Sequence, residues 1–154
     1  MLKYVNTQIG FREFPDEVAL LINISNCPNN CPGCHSSYLA QDIGEVLNEQ
    51  SLDNLIEEYP GVTCIGFMGG DNDHLTLNRL VKYIKLKYNL NTGWYSGKPH
   101  ISLSNGDLMH FNYIKVGPYI EEFGPLDNPN TNQRMYRVEN GEMIDITNKF
   151  WRND

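Results

Sequence analysis

The sequence predicts an α/β fold on a mainly parallel sheet. Apolar, β-branched runs alternate along the chain with segments whose apolar residues recur at helical spacing. Three of those runs end abruptly in a distinctive short element: the cysteine-rich stretch 27–34, then Gly69-Gly70-Asp71, then Ser96-Gly97. Strands alternating with helices imply parallel pairing through right-handed crossovers. In such a sheet the three strand ends lie along one edge, and that edge is where ligands bind.

Taken in order, KYVNTQIGFREF (3–14) reads as an extended arm or a short strand, and Pro15-Asp16 as a turn. VALLINIS (18–25) is an apolar run that reads as a buried strand leading into the cysteines. Ser51 is placed to cap a helix over 52–59, where Leu52, Leu55, Ile56 and Tyr59 fall on one face and Pro60-Gly61 ends the run. VTCIGFM (62–68) is a second buried strand. A helix over 76–88 carries Leu77, Leu80, Val81, Ile84 and Tyr88 as a core-packing stripe, with Lys82, Lys85 and Lys87 off it. Residues 91–95 make a third strand and 112–116 a fourth, while 98–110 has no clear pattern. Asn140-Gly141, between RMYRV and EMIDI, predicts a C-terminal β-hairpin with a type I′ turn.

The 154 residues suit a single domain over 1–154, with no internal repeat, low-complexity segment or linker. A chain of this size buries roughly 70% of its unfolded surface and needs no crosslinks to fold. The net charge is -7 and no Lys/Arg cluster occurs, which argues against a nucleic-acid partner. No apolar run approaches the roughly 18 residues of a membrane helix, and MLKYVNTQIGFREF is too polar for a signal peptide. A cytoplasmic protein without a membrane partner is expected. In that compartment clustered cysteines bind metal or do chemistry rather than form disulfides.

Three of the four cysteines, Cys27, Cys31 and Cys34, are spaced C-x3-C-x2-C within INISNCPNNCPGCHSS. The fourth, Cys64, falls mid-strand, where a small buried hydrophobe is the simpler role. A structural zinc site needs four ligands in a closed tetrahedron, and the loop offers three. His35 directly follows Cys34, so its side chain points away and makes a poor fourth ligand; His74 and His100 carry no spacing signal. A catalytic zinc on three thiolates lacks an obvious general base beside it. A [4Fe-4S] cluster has four irons, each needing an outer ligand. Three cysteines on one loop leave one iron open to bind a substrate, which gives the missing fourth cysteine a purpose. Asn29, Asn30, Pro32 and Gly33 suit a tight loop around such a cluster, with Gly33 removing a side chain beside a ligand thiolate.

The spacing C-x3-C-x2-C is the cluster signature of radical S-adenosylmethionine enzymes, and further segments resemble one family among them, the activating proteins of anaerobic (class III) ribonucleotide reductase. CPGCH resembles that family's cluster loop, FMGGD its Gly-Gly-acidic segment after the second strand, and GWYSG its next strand end. KVGPYIEEFGPLDNPNTNQRMY resembles its late strand, glycine turn and Asn-Gln element. The resemblance runs in order over 18–136. It departs at Asn72, where the family usually has proline, and at His35, where an aromatic is common.

That resemblance implies a truncated radical-SAM β/α barrel with a C-terminal β-hairpin. It implies that Cys27, Cys31 and Cys34 ligate a [4Fe-4S] cluster whose open iron chelates the amino and carboxylate groups of S-adenosyl-L-methionine. Gly69 and Gly70 would let the backbone approach the methionine part, with Asp71 near its ammonium or capping the next helix. Ser96 and Gly97 would line the same edge, and His35 or the backbone of 33–35 would meet the adenine. The implied activity is reductive cleavage to a 5′-deoxyadenosyl radical, which makes a glycyl radical on the large subunit of anaerobic ribonucleoside-triphosphate reductase, with a flavodoxin-like electron donor. Two other readings stand beside it: a radical enzyme acting on another protein or peptide, and a zinc- or redox-binding module without catalysis. Trp94 and Tyr95 read as core aromatics, Asn132-Gln133-Arg134 as a surface or partner-facing element, and Phe150-Trp151 as a C-terminal anchor or contact.

Overall fold

The structure, a computed structural model, describes residues 1–25, 43–101 and 103–151. Its strands are β1 (Leu2–Gly10), β2 (Ala19–Ile24), β3 (Glu45–Leu47), β4 (Cys64–Met68), β5 (Asn91–Tyr95), β6 (Tyr113–Val116), β7 (Arg134–Glu139) and β8 (Glu142–Asp145). Helices α1 (Glu49–Glu58) and α2 (His74–Lys87) precede β4 and β5, and a short α3 (Asn105–Leu108) precedes β6. The strands form one sheet in the order β3-β1-β2-β4-β5-β6-β7-β8.

The fold is α/β, but the sheet is mixed rather than mainly parallel. The four central strands β2, β4, β5 and β6 pair in parallel. The margins are antiparallel: β1 with β2 and β3, β6 with β7, and β7 with β8. Connection length explains two of these. The link 11–18 between β1 and β2 is too short for a parallel crossover, which takes a dozen or more residues, and β7 and β8 are joined by Asn140-Gly141 alone. Both turn residues have positive φ, 51° and 77°, as the predicted type I′ hairpin requires.

Both helices begin earlier than their apolar periodicity suggests. Asn48, not Ser51, caps α1. The Asn48 side chain accepts the Ser51 N–H at 2.9 Å, and the Ser51 hydroxyl accepts the Asn48 N–H at 2.8 Å. Asp73 caps α2, accepting the Thr76 N–H at 3.2 Å. Each cap is worth about 1 kcal/mol. No residue in the first turn of either helix is buried, and Leu75 of α2 is 85% exposed, so the core-facing pattern starts only at Leu52 and Leu77.

Side chains alternate across the sheet. Leu20, Ile22, Ile24, Ile65, Phe67, Trp94, Ile114 and Val116 share one buried cluster with Leu52, Leu55 and Ile56 of α1 and Leu77, Leu80, Val81 and Ile84 of α2. The opposite face is roofed by chain rather than by helices. Phe14, 1% exposed, lies on a flat patch made by the register partners Gly66 and Gly93. A Cβ at Gly93 would come within 2.2 Å of the Phe14 ring, and one at Gly66 within 2.6 Å. Tyr95 and Tyr113 flank that ring at centroid distances of 5.3 and 5.6 Å. Their hydroxyls donate to the carbonyls of Glu13, at 2.7 Å, and Pro15, at 3.2 Å. The segment following β1 is therefore a strap fastened over the sheet.

Two outcomes test this arrangement. Gly93→Ala should lower the unfolding free energy by about 1–3 kcal/mol through overpacking. In a Phe14→Ala background that loss should vanish, because the added methyl enters the vacated space. A urea double-mutant cycle decides it; simply additive losses would mean that the ring does not rest on Gly93. The second concerns the α1–α2 contact, where the Asp53 carboxylate accepts from Tyr88 at 2.6 Å, Tyr83 at 2.9 Å and Lys87 at 3.0 Å. The Tyr88 hydrogen bond in particular holds its pKa below the usual carboxylate range. A depressed folded-state pKa contributes stability that is present above the unfolded value, about 3.9, and is lost as pH falls through the folded one. The gap in urea midpoint between the parent protein and Asp53→Asn should thus narrow as pH drops below about 4.

Candidate functional site

The parallel strands β4, β5 and β6 end side by side, and their ends are bonded to one another. Gly69 and Gly70 follow β4 with φ of 121° and 100°, a backbone region that glycine enters freely. A Cβ on Gly69 would stand 3.2 Å from the Ile24 carbonyl, so the end of β2 lies against this turn. The Gly69 N–H donates to the Tyr95 carbonyl at 3.1 Å. Its own carbonyl accepts the Trp94 indole N–H at 2.9 Å, and the Gly70 carbonyl accepts the Asp73 N–H at 3.2 Å. Each carbonyl oxygen retains a second lone pair for a ligand donor.

Asp71 is 5% exposed and ties this turn to the next. One carboxylate oxygen accepts the Ser96 hydroxyl at 2.6 Å and the other the Gly97 N–H at 2.9 Å. Ser96 is fully buried, and its hydroxyl oxygen also accepts the Lys98 N–H at 3.1 Å. Helix capping, the other role considered for Asp71, falls to Asp73. His74, on the first turn of α2, has Nε2 3.8 Å from the Asp71 carboxylate and sets its ring edge-on to Trp94 at 5.3 Å. Asn72, the departure from the resembled pattern, is exposed.

Of the residues singled out in the sequence, Gly69, Gly70, Asp71, Ser96 and Gly97 are thus brought together at one edge. Cys27, Cys31, Gly33, Cys34 and His35 lie outside the described residues; the chain leaves for them from Ser25, at the β2 end of the same edge. Cys64 is fully buried in β4, among the core on the roofed face, and burial pushes its thiol well above the ordinary range. Among the described residues no three His, Cys, Asp or Glu side chains gather as a metal site. Trp94 is a core aromatic, stacked on Phe111 at 5.7 Å, and also holds the Gly69 carbonyl. Phe150 packs against the roofed-face core and anchors the chain's end.

Lys115 was not legible as a site residue. It is 7% exposed, and its Nζ donates to the carbonyls of Ser96 at 3.2 Å and Gly117 at 2.9 Å. The one signal for it is a charge in the middle of the otherwise apolar run YIKV. A cavity of about 440 Å³ opens on the roofed face next to this edge, with Arg12, Glu13, Tyr95, Leu126, Lys149 and Phe150 in its walls.

No family model, no curated protein and no solved structure matches this chain. Among the described residues no helix is long and apolar enough to cross a membrane.

Removing the Asp71 carboxylate strands a buried hydroxyl and a backbone N–H. Asp71→Ala should lower the unfolding free energy by about 2–3 kcal/mol, and Asp71→Asn, which keeps one acceptor, by less. Chemical denaturation measures both, and an unchanged Asp71→Ala would show that the tie carries no stability.

Proposed function

We propose that this chain is a radical S-adenosylmethionine enzyme that generates the glycyl radical of anaerobic ribonucleoside-triphosphate reductase. In this reading the four central parallel strands are those of a truncated barrel. The carrying observation is one of placement. The Gly69-Gly70 turn, the Ser96-Gly97 turn and the end of β2, from which the chain runs into C-x3-C-x2-C, share a single sheet edge. The fit of the group rests on the same edge. The Gly69-Gly70 turn lies in positive-φ backbone against Ile24, at the end of β2, and Leu77 of α2, and Cys64 is withdrawn into the core; both support a reading in which the three loop cysteines would be the donors.

When bound, a [4Fe-4S] cluster and S-adenosylmethionine supply a one-electron cleavage that yields methionine and a 5′-deoxyadenosyl radical for hydrogen abstraction. The chain's own residues bind and orient. Cys27, Cys31 and Cys34 hold three irons as thiolates. The backbone of Gly69 and Gly70 takes the methionine part, with the Gly69 carbonyl oriented by Trp94. Asp71 holds the Ser96-Gly97 turn in register beside it. His35, or the backbone of 33–35, meets the adenine. The target is a backbone glycine of the reductase large subunit, and a flavodoxin-like protein brings the electron. Among the described residues the sheet does not close on itself, β3 and β8 being its outermost strands, which is compatible with a site open at the side to a macromolecular substrate.

Electron paramagnetic resonance on the anaerobically reconstituted, reduced protein tests this. The expected result is a [4Fe-4S] signal that shifts on adding S-adenosylmethionine. It should be lost in Cys27→Ala, Cys31→Ala and Cys34→Ala and kept in Cys64→Ala. A glycyl-radical signal on the reductase large subunit should follow turnover; cleavage without it would point to another protein or peptide target. Bound zinc with no cluster signal would overturn the enzyme reading in favour of a metal-binding module.

A further inference from the structure

Burying an ammonium costs several kcal/mol unless its donors are satisfied, and an apolar residue would fill position 115 more simply. Alternation along β6 sends Ile114 and Val116 into the helix-side core and turns Lys115 to the roofed face. There the ammonium reaches two carbonyls at the ends of β5 and β6 and lies 5.4 Å above the Tyr95 ring. Ser96 is held from every side. Its N–H donates to the Lys115 carbonyl at 2.8 Å, its carbonyl accepts the Lys115 ammonium, and its hydroxyl donates to Asp71. A continuous series of bonds therefore runs from Gly117 through Lys115, Ser96 and Asp71 to the Gly69-Gly70 turn, crossing three strand ends.

We propose that Lys115 is a positioning residue of the candidate site. Its ammonium fixes the Ser96-Gly97 turn, and through that turn the Asp71 carboxylate, so it governs ligand affinity at an edge that it need not touch. The effect on S-adenosylmethionine rests on the function proposed above; the effect on the turn does not.

The test uses the full-length, anaerobically reconstituted protein and two readouts. Lys115→Met keeps about the same volume and removes the ammonium with its hydrogen bonds to both carbonyls. Hydrogen exchange at the Gly97 amide, which bonds Asp71, should accelerate by about tenfold, the equivalent of one lost hydrogen bond, while Ile65 and Phe67 in mid-β4 stay protected. The dissociation constant for S-adenosylmethionine, followed by the cluster signal, should rise by about tenfold with iron content unchanged. Lys115→Arg, which still donates to two carbonyls, should bring both values back to within about threefold of the parent protein. Unchanged Gly97 exchange in a folded Lys115→Met, or equal acceleration through all of β4, would overturn the proposal. Should Lys115→Met not fold, Lys115→Gln, with a shorter donor, serves instead; acceleration confined to Gly97 supports the proposal, and unchanged exchange overturns it. If the parent protein binds no S-adenosylmethionine, the functional reading fails while Gly97 exchange still decides the role of Lys115.

Discussion

A carboxylate taken out of water must find hydrogen-bond donors in the protein, and the candidate edge of this sheet is arranged around that constraint at Asp71. Its two oxygens are met by the Ser96 hydroxyl and the Gly97 amide, so the turn after β4 cannot move without the turn after β5. The opposite edge is fastened in a similar way. Glu17, 8% exposed, accepts the Thr63 hydroxyl at 3.0 Å and the Asn91 side-chain amide at 2.8 Å, where β4 and β5 begin. Two buried acids thus clamp the central strands at both ends. Only the Asp71 clamp coincides with glycines in left-handed backbone conformations, which is where a ligand can approach the main chain.

The two faces of the sheet are filled by different means, and this confines where chemistry can occur. Helices cover one face with a continuous apolar core. On the other, Phe14 occupies the space above Gly66 and Gly93 that a larger ligand chamber would need. Room remains in the cavity beside Tyr95, next to the strand ends.

The central sheet was legible because its strands are short apolar runs separated by amphipathic helices. The β7–β8 hairpin was legible from Asn140-Gly141, but the antiparallel pairing of β1 with β2 and β3, and of β6 with β7, was not, since it depends on connection length and distant partners. Strand β3 has three residues, two of them exposed, so it offers no apolar pattern to read. Asn48 and Asp73 escaped notice because neither first turn contributes a core-facing residue to the hydrophobic periodicity. Gly69, Gly70, Asp71, Ser96 and Gly97 stood out as glycine and polar residues closing apolar runs. The bond from Asp71 to Ser96 joins residues 25 positions apart and has no local signature. Lys115 stayed hidden for a related reason: a lysine in a strand reads as solvent-facing until the neighbouring carbonyls are placed around it. The roles of Cys27, Cys31 and Cys34 rest on their spacing and on the strand that leads to them.

Cys64 has a consequence for handling the protein. Alkylating reagents attack thiolates, and this thiol is sealed in the sheet with its ionisation further opposed by the nearby Glu17 carboxylate. Thiol counts on the native chain therefore omit it. The delayed appearance of that one extra equivalent under mild denaturant times the parting of β4 from its neighbours, so the chain carries its own clock for opening of the sheet's centre.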